Sequence, residues 1–230
     1  MEIKILKLIE GAKQAEGLTV IIDVFRAFTV ACYAFNNGAR DIITVGQLDD
    51  AYLIKKNNPD YILIGERSGR IQEGFNYGNS PFQIEKIDFS GKTLIHTTSA
   101  GTQGIVNARK ADEIITGSFV NAKAIARYIS LKKPEILSLV CMGDAGVKEN
   151  QEDNFCAQYI ASLLENRPFD LEEMKKILKE GSGKRFFDPA NADWSPEGDF
   201  HLAMKFNKFD FILRAEKEDD EYVYLKRLFV

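Results

Sequence analysis

The chain predicts an α/β fold: three layers, with helices on both faces of a mostly parallel mixed sheet. Three observations lead there. Apolar runs of strand length recur at residues 18–22, 61–64, 92–96 and 135–141. Helical apolar patterns stand between and after them, at 27–37, 120–130 and 152–165. The punctuation falls where such elements would end, at Asn37-Gly38, Asn58-Pro59 and Gly181-Ser182-Gly183.

Taken in order, residues 1–9 read as a strand or a short helix, and 10–17 as a polar connection. The run 18–22 is a buried strand that passes directly into a helix over 27–37, with Asp23 and Arg26 at the junction. Residues 41–45 form a second strand. A helix over 47–57 is stopped by Pro59, and 61–64 form a third strand. The stretch 65–81, GERSGRIQEGFNYGNSP, has no regular period and carries Glu66, Arg67, Arg70, Glu73, Asn76 and Asn79. Long polar loops inside compact domains are uncommon and often functional; Phe75 and Tyr77 would pin this one. The strand 92–96 runs into Thr97-Thr98-Ser99-Ala100-Gly101-Thr102, followed by a helix to about residue 109. A hydroxyl- and glycine-rich turn at a helix start suits an anion, or simply a cap. Strand 114–116, helix 120–130 and strand 135–141 follow; the last empties into MGDAGVKENQ and a helix opened by Glu152-Asp153. Residues 170–180 are helical and 186–198 loop-like. No period can be assigned over 200–213. An acidic turn is expected over 216–221, and an edge strand over 222–230. With no internal repeat or linker, residues 1–230 read as a single domain.

Composition narrows the function. Of 230 residues, 45% are apolar and 11% aromatic, enough for a sizeable core, and the formal charge of −4 leaves no basic footprint for nucleic acid. No apolar run reaches the ~20 residues of a membrane span, and the N-terminus lacks a signal-peptide core. The expectation is a cytoplasmic protein. Cys32, Cys141 and Cys156 are odd in number and far apart, which argues against a disulfide framework or a zinc knuckle. His96 and His201 are too few for a histidine metal cluster. Exposed tail aromatics and an edge strand leave a homodimer open.

Four strand ends carry the chemistry: Asp23/Arg26, Glu66/Arg67, the turn 98–102, and Glu152/Asp153. If these strands are parallel, all four lie on one rim, where open α/β sheets bind ligands. Clustered carboxylates suit a hard cation such as Mg²⁺, and an arginine fork suits a phosphate or sulfonate. The pattern points to metal-assisted phosphoryl transfer or hydrolysis.

Five blocks then resemble one family, the 2-phosphosulfolactate phosphatases of coenzyme M biosynthesis: IDVFRAFT (22–29), GERSG (65–69), EGFNYGNSP (73–81), TTSAGTQG (97–104) and QEDNFCAQYI (151–160). They occur in the family's order over about the first two-thirds of the chain. The tail, including KRFFDPANADW, is only loosely similar. The resemblance implies an α/β/α fold and Mg²⁺-dependent hydrolysis of a small phosphorylated, sulfonated acid. Asp23, Arg26, Glu66, Asn79, Thr98, Gly101, Thr102, Glu152 and Asp153 fall on family motif positions. We expect Asp23, Glu66 and Asp153 around Mg²⁺, with Arg26, Arg67, Asn79, Thr98, Ser99, Gly101 and Thr102 on the substrate.

The chain departs from the pattern at Ser68, Asn76, Ala100, Gln103 and Asn150-Gln151, where the family usually has Gly, Asp, Asn, Arg and Ser-Leu. A change in substrate charge preference is the expected consequence, and a paralogue acting on another phosphate ester stays open. So does a non-catalytic binder of an anionic metabolite, or a protein whose site residues are only caps and surface charges. For the nucleophile, a cysteine phosphatase needs an arginine shortly after its cysteine; Gly38, Val147 and Ser162 stand at those places. An aspartyl-phosphate enzyme wants a second Asp where Phe25 stands. A metal-bound water is the default, with Ser99 as a covalent alternative.

Overall fold

The structure is a computed structural model that describes residues 1–217 and 222–230. Of the acidic turn expected over 216–221, residues 218–221 lie outside the described residues. The elements, in chain order, are β1 (Glu2–Lys7), α1 (Leu8–Gln14), β2 (Gly17–Ile22), α2 (Ala27–Asn36), β3 (Asp41–Thr44) and α3 (Leu48–Asn57). Then come β4 (Ile62–Gly65), α4 (Pro81–Ile84), β5 (Thr93–Thr97), α5 (Gly101–Asn107), β6 (Ala111–Gly117) and α6 (Ala122–Lys132). The remainder are β7 (Ile136–Cys141), α7 (Gln151–Leu164), α8 (Leu171–Glu180), α9 (Glu197–Ala203), β8 (Phe211–Lys217) and β9 (Val223–Phe229). The three-layer mixed α/β architecture expected from the sequence is the one observed.

The described strands form one sheet, in the order β1-β7-β2-β6-β8-β9-β3-β5-β4. It consists of two parallel blocks. β1, β7, β2 and β6 run together, as do β3, β5 and β4. The antiparallel hairpin β8–β9 joins them, pairing with β6 on one side and β3 on the other. Residues 222–230 are therefore not an edge strand: β9 lies inside the sheet, pairing Ile42 with Leu225 and Phe211 with Phe229. Nor are the four chemistry-bearing strands all in one parallel set, since the strand following each block boundary reverses. The carboxyl ends of the two blocks nevertheless meet: Gly101, after β5, stands beside Asp23, after β2.

Both faces of the sheet are covered. In β2, Ile21 packs into a core with Phe28, Phe35, Phe89 and Val140. Its neighbours Val20 and Ile22 pack oppositely, with Phe119, Ile125, Leu139 and Ile160. This alternation across the pleat is why β2 carries apolar side chains on both faces, with Thr19 its one polar residue. Helix α2 is buried from Ala27 to Phe35, so it reads as apolar on all sides. It is followed by Gly38 at φ +94°, a conformation with which a side chain would be strained. The polar connection expected over 10–17 is largely α1, which turns Gly11 and Ala12 inward.

Candidate active site

Each strand end delivers one side chain to a common cleft of about 740 Å³, bounded by Asp23, Glu66, Asn79, Ser99, Glu152 and Arg185. Asp23 is the first residue after β2. Its Oδ1 accepts from Ala27 N at 3.1 Å, the opening of α2. Its Oδ2 faces Gly101, where a Cβ would come within 2.9 Å of that oxygen and 2.7 Å of Ala27 Cβ. Gly101 thus lets α5 close onto Asp23. Burial, then the Glu66 and Glu152 charges, push the Asp23 carboxyl up to about 7.

Glu66 follows β4 and is fully engaged. Its Oε1 accepts from Ser99 N at 2.7 Å, and its Oε2 accepts from Gly69 N at 2.6 Å and from Ser99 Oγ at 3.1 Å. The anion held at the turn after β5 is therefore the protein's own glutamate. Ser99 in turn accepts from Ser68 N at 3.2 Å, so its hydroxyl is fixed while still facing the cleft. Asn79 is held from behind by His96, whose Nε2 is 3.2 Å from Asn79 Oδ1.

The two acids opening α7 separate. Asp153 is 1% exposed. Its Oδ1 accepts from Val24 N at 2.9 Å, and its Oδ2 accepts from Gly143 N at 2.9 Å and Asn150 Nδ2 at 3.1 Å. It braces the turns after β2 and β7 and does not line the cleft, which corrects the expectation that it holds a metal. Glu152, about 100° round the helix, does line the cleft. It is 2% exposed, and its Oε2 has no hydrogen-bond partner. Burial raises its pKa, against Ser182 and Arg185, which lower it.

The predicted substrate ligands divide in the same way. Arg26 borders the cleft, but its Nη1 donates to Asp199 Oδ2 at 2.7 Å and Trp194 O at 2.6 Å, and its Nη2 to Gly69 O at 3.3 Å. Both side chains of this ion pair are buried. Arg26 is a brace between the β2–α2 turn and the C-terminal third. Arg67 points away from Glu66, as successive extended residues do. Its Nη1 donates to Glu66 O at 2.7 Å, and its Nη2 to Gly46 O at 3.0 Å and Thr97 Oγ1 at 2.7 Å, outside the cleft. Thr98 and Thr102 satisfy each other: Thr98 N donates to Thr102 Oγ1 at 3.0 Å and Thr102 N to Thr98 Oγ1 at 3.2 Å. Neither hydroxyl is turned to a ligand. Asp23, Asn79 and Ser99 line the cleft.

Arg185, Ser182 and Trp194 also border the cleft and were missed. The signal available was thin: a charged residue between a glycine-rich stop and the pair Phe186-Phe187. Among the described residues, no three His, Cys, Asp or Glu side chains gather closely enough to hold a metal unaided. What the cleft does hold is Asp23 and Glu152: burial and the Glu66 and Glu152 charges raise Asp23's pKa, and neither acid forms an ion pair among the described residues.

A family profile described as 2-phosphosulpholactate phosphatase matches residues 3–192. A "Probable 2-phosphosulfolactate phosphatase" of Bacillus subtilis (strain 168) is 30% identical, over 93% of this chain and 92% of its own. A protein of the same description from Caldicellulosiruptor saccharolyticus is 38% identical, over 66% and 65%. Another, from Clostridium novyi (strain NT), is 37% identical, over 72% and 71%.

Proposed function

The chain belongs to the 2-phosphosulpholactate phosphatase family of phosphoric monoester hydrolases, and on that premise we propose that it removes the phosphate of 2-phosphosulfolactate, or of a close relative, with Mg²⁺ held by Asp23 and Glu152. The observation that carries the metal assignment is the uncompensated acid pair: an Asp23 carboxyl raised to about 7 and a buried Glu152 oxygen without a partner. A hard cation would relieve both. Mg²⁺ typically takes one or two carboxylates and fills its remaining positions with water and substrate phosphate, so two protein ligands fit the chemistry. When bound, the ion would supply charge neutralisation and a lowered pKa for water.

The chain's own residues have distinct tasks. Asp153 fixes the positions from which Asp23 and Glu152 emerge. Glu66 holds the Ser99 turn in place. Asn79, oriented by His96, offers its amide to the phosphate oxygens. Arg26 keeps the 194–199 segment closed over the site. A second route has one specific observation in its favour: Ser99 Oγ lies 3.1 Å from Glu66 Oε2, a nucleophile within reach of a base. Ser99→Ala separates the two routes, since retention of most turnover would eliminate the covalent one.

The test of the whole reading is phosphate release from 2-phosphosulfolactate and a panel of small phosphate esters, each with Mg²⁺ and with EDTA. Release that requires Mg²⁺ is the expected result. A folded protein that releases phosphate from none of them would overturn the proposal.

A further inference from the structure

This inference rests on the phosphatase reading and concerns the part of the substrate it leaves unassigned. A phosphorylated sulfonated acid carries acidic groups on its carbon skeleton as well as the phosphate. Asp23, Glu66 and Glu152 repel such groups, so their receptor must be a cation on the cleft wall that no protein carboxylate already neutralises. Arg26 is closed on Asp199, and Arg67 turns to Gly46 and Thr97. Arg185 remains. Its Nη2 donates to Phe25 O at 3.2 Å, and its guanidinium lies 4.9 Å from the centre of the Phe186 ring. Its Nε is buried with no partner, and so is the hydroxyl of Ser182, three residues before it on the same cleft wall.

We propose that Arg185, with Ser182 beside it, receives the non-phosphate acidic group of the substrate and so sets its specificity. A buried Nε left without a partner is costly unless a ligand supplies one, and the planar fork matches two oxygens of a sulfonate or carboxylate. Contact with Phe25 and Phe186 pre-orients the side chain, so little freedom is lost on binding. Glu152 is nearby and does not replace that ligand: the two form no ion pair among the described residues. Burial lowers the pKa of Arg185, and the Glu152 charge opposes it.

The probe is sulfolactate, which has the acidic groups and no phosphate, titrated calorimetrically into wild-type, Arg185→Met and Arg185→Lys proteins with Mg²⁺ present; inorganic phosphate is titrated in parallel. Arg185→Met is expected to weaken sulfolactate about 10- to 100-fold, the worth of one charge-assisted hydrogen bond. Its affinity for inorganic phosphate and its thermal midpoint should stay unchanged, and Arg185→Lys should recover part of the loss. Equal sulfolactate affinity in wild type and Arg185→Met would overturn the proposal, as would wild type that does not bind sulfolactate. A parallel loss of phosphate binding would also overturn it, placing Arg185 on the phosphate. If Arg185→Met does not fold, Ser182→Ala carries the test, with a several-fold loss expected and no loss refuting. Failure of the phosphatase reading would appear separately, as absent phosphate release by the wild-type enzyme.

Discussion

Replacing Arg26 with Met should damage the fold before it damages the chemistry. The guanidinium donates to Asp199 Oδ2 at 2.7 Å and Trp194 O at 2.6 Å, and its partner carboxylate is fully buried. Removing one member of such a pair costs about 3–5 kcal/mol, because the other charge stays behind. Two features pull toward the low end. Asp199 Oδ1 keeps Ser80 Oγ at 2.6 Å and Phe82 N at 3.0 Å. Burial has also raised the Asp199 pKa, easing its neutralisation. The stranded Trp194 carbonyl adds about 1 kcal/mol in the other direction. The expected net loss is about 4 kcal/mol, a fall in thermal midpoint of about 8–16 °C for a domain of this size. Urea or thermal unfolding at neutral pH measures it. The double variant Arg26→Met/Asp199→Leu should recover much of the loss, since removing both charges leaves none stranded. A single variant within about 1 kcal/mol of wild type that has nevertheless lost turnover would refute this reasoning and return Arg26 to the substrate.

Three further outcomes follow from the site. Glu152→Gln should keep its thermal midpoint or raise it, because it removes a buried unpaired charge, while turnover and Mg²⁺-induced thermal stabilisation fall; unchanged turnover would remove Glu152 from the metal. Asp153→Asn should do the reverse, costing about 1–3 kcal/mol in chemical denaturation, since three donors depend on its two oxygens; an undiminished midpoint would contradict its bracing role. His96 should make the protein acid-labile. Burial, with Arg67 second, lowers its pKa from 6.5 to about 4. The unfolded chain therefore binds the proton more readily, and stability is lost as the pH falls from about 6.5 toward 4. By pH 5 the loss from this group is about 2 kcal/mol. His96→Gln should flatten that slope in denaturation at pH 5 and pH 7, and an unaltered slope would assign it to other groups.

Strand and helix identity could be read along most of the chain because burial on both sheet faces leaves largely apolar runs such as 18–22 and 136–141, interrupted only by the buried Thr19 and Ser138. Pairing could not. An edge strand and an interior strand differ in which backbone groups find partners, and β9 shows partial burial at most positions wherever it sits. The period over 200–213 defeated assignment because α9 gives way to β8 within that window. At the site, Asp23, Glu66 and Ser99 were legible because strand direction aims the residue after a strand end. Glu152 and Asp153 were not distinguishable: adjacent helical residues diverge by about 100°, and the sequence does not say which one faces the cleft. Arg26 was assigned to the substrate, and Arg185 passed over, for a related reason. A long side chain is assigned by what it meets, and Arg26 meets Asp199, far along the chain, while Arg185 meets no carboxylate.

The hairpin β8–β9 has a consequence for biosynthesis. Asp23 and Ser99 belong to blocks that share no ladder of their own; the joint between them is made of β8 and β9. A nascent chain emerging from the ribosome carries both halves of its catalytic apparatus before it carries that joint. At ordinary translation speeds, β9 follows Ser99 by on the order of ten seconds. Through that interval β6 and β3 each lack a neighbour and invite wrong pairing. The enzyme is thus assembled by its latest-made strands, and a chain arrested before β8 would carry every residue assigned to the site and still lack the joint that unites them.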